Sequence, residues 1–267
     1  MRYFDAHCHI DLYDDPVEEL AKATSADIGM LAVTNAPFVF KGCSKLGALN
    51  PSVLVAVGLH PELVGRYAHQ VDDLVGYLDE TRFIGEVGLD YHVTDPDTHR
   101  AQREVLERIV AACDGRHDVV ATVHSRGAES DVVSIIGTQF TGTTILHWYS
   151  GSLKYLDLAQ QHGSFFSVNL TMLASKNGRR LISGMDPSRV LTESDGPFAM
   201  VQGRRARPGD MPLTIQRLAE FWGEESEAVR AVVMENWASA ANMKSAEGRH
   251  AIEVPEAAPA VERWFNR

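Results

Sequence analysis

The chain has 267 residues, more than a typical single domain and about the length of one α/β barrel. Its 36 acidic and 25 basic residues give a net charge of −11, which disfavours tight binding of nucleic acid through backbone charge alone. Nuclease chemistry stays open, because bound cations can supply positive charge at a site.

The composition also bears on the compartment. Hydrophobic residues make up 45% of the chain, yet no apolar run approaches the ~18 residues that span a bilayer, so we expect no membrane partner. The first residues lack the apolar segment of an export signal. The three scattered cysteines, Cys8, Cys43 and Cys113, are odd in number and fit a reducing cytoplasm, where we expect the protein to act.

Short apolar, β-branched runs alternate with amphipathic stretches along the chain. The predicted strands cover residues 4–7, 30–34, 53–58, 83–88, 119–124, 143–147, 165–169 and 189–195. Near-continuous apolar strands that alternate with helices predict a parallel sheet covered on both faces. Eight such units favour a closed (β/α)8 TIM barrel over a doubly wound open sheet.

Helix signals lie between these strands. Asp15 and Pro16, followed by acidic residues, predict a capped helix start, and residues 99–114 show helical spacing of apolar positions. The composition changes at Lys244, after which the chain is rich in Ala, Pro and Glu. We therefore predict a barrel domain over 1–243 and a C-terminal tail over 244–267.

Six metal-binding side chains fall at or near the carboxyl ends of predicted strands: His7, His9, Glu86, His124, His147 and Asp195. In an α/β barrel these ends converge on one face, where active sites form. Residues i and i+2 of a strand point to the same side, so His7 and His9 can bind one ion while Cys8 points away. The pattern predicts a metal site.

Six protein ligands suit two divalent ions better than one, provided that a carboxylate bridges them. Glu86 is the best bridge, because it stands on a central strand and has two oxygens to share. Paired ions ~3.5–4 Å apart activate a water and stabilise the departing oxygen of a displacement at phosphorus. Imidazole donors favour Zn, Mn or Fe over Mg, but the sequence does not choose among Mg, Mn and Zn.

Other residues near these strand ends are candidates for substrate contacts. His60 and Arg126 are each placed to contact a phosphate oxygen, although Arg126 would also suit a structural salt bridge. The basic cluster Arg204, Arg205 and Arg207 is predicted to form a phosphate-facing rim, with a solvated loop as the alternative. Asp90 is expected to organise the loop after Glu86.

Six segments together resemble the TatD family of metal-dependent deoxyribonucleases, within the amidohydrolase-like barrels. They are DAHCHIDL (5–12), GLHPELV (58–64), IGEVGLDY (84–91), TVHSRGA (122–128), ILHWYSGS (145–152) and LTESDGPF (191–198). The resemblance implies hydrolysis of DNA phosphodiester bonds, commonly from a 3′ end, on single-stranded DNA or an exposed end. It assigns His7, His9, Glu86 and Asp195 to one metal, and Glu86, His124 and His147 to the other.

Two further segments, DLYDDP (11–16) and SVNLTMLASKNGRRLI (167–182), resemble more particularly the TatD-type nucleases of the Qat antiphage defence system. This resemblance implies a role in antiphage defence, with other Qat proteins as partners. The chain also departs from the family pattern. It has GRRARPGD (203–210) where Asn-Glu-Pro is frequent, and Ser194 where Thr is commonest.

The expected mechanism uses Asp195 as the proton acceptor for the attacking water, while His60 or Arg126 stabilises the transition state. One alternative is a small-molecule amidohydrolase of the lactonase or phosphotriesterase type. Those enzymes often bridge their metals with a carboxylated lysine, whereas strand 4 carries Glu86 and no lysine. Another alternative is a non-catalytic, metal-binding subunit of a defence complex, which would have no need of the complete ligand set.

Overall fold

The computed structural model describes residues 1–137 and 139–242, and within them eight parallel strands form the centre of the molecule. The strands are β1 (Tyr3–Cys8), β2 (Ile28–Ala32), β3 (Val53–Val55), β4 (Phe83–Gly88), β5 (Val120–His124), β6 (Thr143–His147), β7 (Phe165–Val168) and β8 (Val190–Thr192). An antiparallel hairpin of β9 (Met200–Val201) and β10 (Arg204–Arg205) follows β8. The tail predicted over 244–267 lies outside the described residues.

Two seams close the strands into a barrel. The orders β1-β2-β3 and β4-β5-β6-β7-β8 form two hydrogen-bonded sheets, and a parallel bridge between Val57 and Ile84 joins β3 to β4. At the other seam the Asp195 amide donates to the His7 carbonyl at 3.0 Å, and the His9 amide donates to the Gly196 carbonyl at 2.9 Å. The predicted TIM barrel is confirmed.

Helices cover the outside of the barrel. They are α1 (Pro16–Ser25), α2 (Phe40–Gly47), α3 (Val64–Tyr67), α4 (Val71–Gly76), α5 (Pro96–Ala112), α6 (Glu129–Ile136), α7 (Leu153–Gln161), α8 (Leu170–Ala174), α9 (Lys176–Ile182), α10 (Met211–Trp222) and α11 (Ser226–Ala240). Over the described ranges, no helix combines the length and the apolar character needed to cross a membrane.

The two predicted helices show how capping sets a helix start. Helix α1 begins as predicted, because the Asp15 carboxylate accepts the Glu18 amide at 2.9 Å. Helix α5 begins at Pro96, three residues before the predicted start, because the Asp95 carboxylate accepts the Asp97 and Thr98 amides. The same Asp-Pro signal therefore begins both helices.

Strands β3 and β8 end three residues earlier than predicted, at Val55 and Thr192, because the chain turns at the carboxyl end of the barrel. A Cβ atom on Gly58 would lie 2.0 Å from the Thr34 carbonyl oxygen and 2.3 Å from the Glu86 nitrogen, so only glycine permits this approach. After β8, Asp195 has a left-handed φ of 46°. This conformation ends the strand and is tolerated by Asp better than by most side chains.

Trp237 of α11 closes the amino end of the barrel. Its ring stacks on Phe4 with centroids 3.7 Å apart, and the residue is 1% exposed. The inward side chains of the strands complete this apolar layer: Leu31, Phe83, Val120, Ile145, Phe165 and Leu191. The polar side chains inside the barrel therefore lie towards its carboxyl end.

Replacing Trp237 with alanine should lower the free energy of unfolding by about 3–5 kcal/mol, because a large buried ring leaves a cavity. Urea denaturation followed by circular dichroism measures the change. Leu49→Ala is the control, since Leu49 is 64% exposed and its truncation should cost less than ~0.5 kcal/mol. Equal effects of the two substitutions would contradict this account of the barrel floor.

Candidate metal centre

The structure brings all six predicted metal ligands to one point at the carboxyl end of the barrel. They come from β1 and the residue after it, from β4, β5 and β6, and from the turn after β8: His7, His9, Glu86, His124, His147 and Asp195. Five are buried, and the sixth, His124, is partly exposed towards solvent. The strand-end placement deduced from the sequence therefore corresponds to a real cluster.

One side of the cluster is built by β1 and β8. The Nε2 atoms of His7 and His9 lie 3.3 Å apart, and they are 3.5 and 3.2 Å from Oε2 of Glu86. Oδ1 of Asp195 is 3.8 and 3.7 Å from the same two nitrogens. Two imidazoles and two carboxylates thus point at a common space.

The alternation of β1 explains why the cysteine between the histidines is excluded. Cys8 is fully buried on the opposite side of the strand, and its thiol donates to the Gly196 carbonyl at 3.7 Å. Burial raises the pKa of this thiol well above its usual range. The prediction of a packed thiol is confirmed.

The other side of the cluster surrounds the second oxygen of Glu86. Oε1 lies 2.7 Å from Nδ1 of His124, 2.7 Å from Nε2 of His147 and 3.4 Å from Nε2 of His60. Each oxygen of the carboxylate therefore faces its own group of imidazoles. His60, which the sequence suggested as a phosphate contact, stands among the candidate ligands in this geometry.

A second layer of polar groups orients the imidazoles. Nδ1 of His7 is 2.7 Å from the Thr122 hydroxyl, and Nε2 of His124 is 2.9 Å from Oδ2 of Asp90. Each contact occupies one ring nitrogen and leaves the other facing Glu86. Asp90 also accepts the His92 amide at 2.8 Å, so it organises the loop after β4 as expected.

Sequence reasoning missed the role of Glu193. Its carboxylate is fully buried, accepts hydrogen bonds from Asn169 and Ser167, and lies 3.8 Å from Nδ1 of His147. The sequence held one signal: Ser167 and Asn169 are spaced i, i+2 at the end of the strand before the one that leads to Glu193. Nothing local in the sequence, however, pairs these residues.

Asp5 was also missed, and it fixes the seam beneath the site. Its Oδ1 accepts the Ser194 amide at 2.9 Å and the His7 amide at 3.2 Å, which ties the end of β8 to β1. Complete burial raises the pKa of Asp5 to about 7. The carboxyl group thus helps to position His7 without facing the cavity.

Burial and charge together set the protonation of the cluster. Burial opposes ionisation of Glu86, yet the imidazoles of His60, His147 and His124 hold its pKa well below the usual range. Burial likewise favours neutral His147, but the carboxylates of Glu86 and Glu193 raise its pKa well above normal. Burial raises the pKa of Asp195 well above that of an exposed carboxyl. The site concentrates groups that need a compensating charge.

The donor set fits divalent cations. Nδ1 of His9 is buried without a hydrogen-bond partner in the described chain. If Nε2 binds a metal, the proton of the neutral ring is carried by Nδ1. His7, His9 and Asp195 present ligand atoms within 4.8 Å of one another, as do His60, Glu86 and His124. Mixed imidazole and carboxylate donors are the usual ligands of Zn and Mn.

A cavity of about 620 Å³ opens above the cluster. His60 and the exposed Arg126 line this cavity. Both were predicted from the sequence to contact a phosphate, and a residue in that role must reach the cavity. The basic cluster is placed differently. Arg204 forms a bidentate ion pair with Asp210, and Arg207 lies 3.2 Å from Glu19.

Those pairings keep the predicted rim away from the cavity wall. The lining residues do not include Arg204, Arg205 or Arg207, although all three are exposed after β8. Asp210 and Glu19 neutralise two of the three guanidinium groups in place of a substrate phosphate. A direct contact between these arginines and substrate stays a prediction.

Comparison with known proteins places the chain in a family. The model of the TatD-related DNase family matches residues 4–241. The chain belongs to the TatD-related DNase family. The sequence-based expectation of a TatD-type metal-dependent hydrolase is thereby confirmed.

Two curated relatives match most of this chain, and one solved structure shares its fold. Deoxyribonuclease TATDN3 of Homo sapiens is 25% identical over 252 residues, covering 87% of this chain and 92% of its own. The uncharacterized metal-dependent hydrolase MJ1582 of Methanocaldococcus jannaschii is 23% identical over 246 residues, covering 88% and 95%. The crystal structure of the TatD homologue YjjV of Escherichia coli K12 superposes with a TM-score of 0.80 at 22% identity, covering 90% and 98%.

Glu193→Gln should lower metal affinity by roughly 10–100-fold, because it removes the charge that supports His147 from the second layer. The amide can still accept from Asn169, so the fold should be retained. Metal titration followed by calorimetry measures the change, and Glu104→Gln on the exposed face of α5 is the matched control. Unchanged affinity in Glu193→Gln would show that this layer does not tune the site.

Metal should stabilise the protein more at about pH 8 than at about pH 5.5, because ligating imidazoles must lose their protons. The pKa values of His124 and His147 are both raised, so protons compete with metal as the pH falls through them. Melting temperatures with and without Zn²⁺ or Mn²⁺ measure the effect, which is worth ~2.7 kcal/mol at 100 times Kd.

The control for this experiment is His69→Ala, which removes an exposed histidine outside the cluster. This variant should show the same metal-induced shift as the unmodified protein at both pH values. A shift that is larger at the lower pH would contradict the assignment of the imidazoles as ligands.

Proposed function

We propose that the protein is a metal-dependent deoxyribonuclease that hydrolyses DNA phosphodiester bonds. The observation that carries the proposal is the Glu86 carboxylate, which turns one oxygen to each of two imidazole groups below an open cavity. A carboxylate shared in this way suits a pair of divalent ions. The name deoxyribonuclease of the TATDN3 relative supports DNA as the substrate.

The ligands divide as the family resemblance implies. His7, His9, Glu86 and Asp195 would hold one ion, and Glu86, His124 and His147 would hold the second. Bound divalent cations neutralise charge on phosphodiester oxygens and ease deprotonation of water. The ions would also offset the acidity of the chain at the point where a polyanion must approach.

The side chains of the protein supply the remaining functions. Asp195, whose Oδ1 faces the Nε2 atoms of His7 and His9 at 3.8 and 3.7 Å, accepts the proton of the attacking water. Arg126 is exposed at the cavity wall and can contact a phosphate oxygen through two N–H groups. Glu86 fixes the spacing of the two ligand groups, and Asp90 holds the ring of His124.

An exposed DNA end is the substrate that suits this cavity best. The chain carries a net charge of −11, so it lacks the charge to bind a long duplex through its phosphates. A single strand or a frayed end needs only local contacts. We therefore propose exonuclease action, commonly from a 3′ end as in the family.

The biological setting rests on the sequence resemblance of residues 11–16 and 167–182. We propose a cytoplasmic role in antiphage defence together with other proteins of the Qat system. In the structure the second segment covers the end of β7, helix α8 and helix α9.

His124→Ala and Asp195→Ala should each lower the rate of DNA cleavage by at least ~10²-fold, because the first removes a proposed metal ligand and the second removes both a proposed ligand and the proposed proton acceptor. Cleavage of end-labelled single- and double-stranded DNA with Mn²⁺, Zn²⁺ or Mg²⁺ measures the rates. His69→Ala should cleave at the unmodified rate, and circular dichroism should show that all variants fold.

Parallel assays separate the other activities considered. Full DNA cleavage in excess chelator would overturn the metal-dependent mechanism. Hydrolysis of lactones or phosphotriesters but not of DNA would identify a small-molecule amidohydrolase. No hydrolysis of either class by the metal-loaded protein would identify a non-catalytic metal-binding subunit.

A further inference from the structure

Two aromatic side chains line the cavity beside the metal ligands. Phe198 lies three residues after Asp195, is 56% exposed, and places its ring edge-to-face on His9 with centroids 4.9 Å apart. Trp148 directly follows His147 and is partly exposed at the same cavity. We call these two residues the aromatic wall.

The aromatic wall is held by the backbone and by packing. Trp148 has a left-handed φ of 37°, a costly conformation for an aromatic residue and one that is common at functional sites. Its indole packs against the small apolar cluster of Ala199, Val201 and Ala206, which belongs to the segment that follows Phe198. The two rings therefore sit on one connected surface.

The side chains that line the cavity supply little positive charge for binding phosphates. Among its described lining residues Arg126 is the one arginine or lysine, against Glu62, Glu86, Asp90 and Asp195. Apart from bound ions, the described lining therefore offers a phosphate one permanently charged cation, Arg126. Stacking on an aromatic ring requires no charge and accepts any base.

We propose that Phe198 and Trp148 stack the nucleobases that flank the scissile phosphodiester, and that this stacking selects substrates with unpaired bases. The proposal rests on the deoxyribonuclease function proposed above and names the part of the substrate that the cavity recognises. A base inside a duplex is paired and stacked on its neighbours, so its face is not free to meet the aromatic wall. A single strand or a frayed end presents that face.

The test compares two single-stranded oligonucleotides, one normal and one with tetrahydrofuran residues in place of the nucleosides that flank the cleaved linkage. The unmodified enzyme should cleave the normal strand with a kcat/KM about tenfold or more above that of the abasic strand. In Phe198→Ala this ratio should fall towards one, and in Phe198→Trp it should be retained.

The ratio distinguishes recognition from mere support of the site. If Phe198 only shields His9, its removal will slow both strands equally and leave the ratio unchanged, which would overturn the proposal. Phe38→Ala is the matched control, because Phe38 is 57% exposed, meets one aromatic neighbour and does not line the cavity. Its ratio should equal that of the unmodified enzyme.

The outcomes also separate this proposal from the proposed function. If the unmodified enzyme cleaves normal and abasic strands at the same rate, it is a deoxyribonuclease without base stacking, and only the inference fails. If it cleaves neither strand with any metal, the deoxyribonuclease proposal fails as well. An oligonucleotide carrying 2-aminopurine beside a cleavage-resistant phosphorothioate linkage gives a direct readout. Its fluorescence should be quenched more strongly by the unmodified enzyme than by Phe198→Ala, and equal quenching would count against stacking on Phe198.

Discussion

The ionised carboxylate of Glu86, buried among five imidazoles, is the constraint on which the carboxyl end of the barrel depends. A buried carboxylate is unfavourable unless positive charge or hydrogen-bond donors surround it. The ring nitrogens must therefore be turned inward, and Thr122, Asp90 and Glu193 hold three of the rings in that orientation. Cations would complete the same electrostatic balance, so the geometry suits a filled site.

The seam between β1 and β8 is the second requirement, because the two ligand-bearing ends of the chain meet there. Asp5 accepts amides from both sides of the seam, and the Asp195 amide closes it onto the His7 carbonyl. These hydrogen bonds can form only when the barrel is closed, because closure brings β1 next to the end of β8. Hence fold and site form together: an open sheet with the same strands would separate Asp195 from the histidines.

The sequence predicted the barrel and the ligand cluster because both follow from periodicity. Strand ends place ligands on one face, and i, i+2 spacing aligns His7 with His9. The role of Glu193 was not predicted because its hydrogen-bond partners lie on another strand. Only the tertiary structure shows that its carboxylate lies beside Nδ1 of His147. The ion pair of Arg204 with Asp210 was not predicted for a different reason. A run of arginines predicts exposure to solvent, but charge alone does not determine which carboxylate each arginine pairs with.

The order in which the chain is synthesised has a consequence for when a metal can be held. His7 and His9 leave the ribosome before Asp195, which emerges almost 190 residues later, and the hydrogen bond from the Asp195 amide to the His7 carbonyl closes the seam between β8 and β1. A nascent chain that ends before β8 contains His7 and His9 but lacks the Asp195 carboxylate and the closed barrel that surrounds the cavity. The centre is therefore complete only after β8 and the turn that follows it have been synthesised, which delays any hydrolytic activity until the barrel has closed.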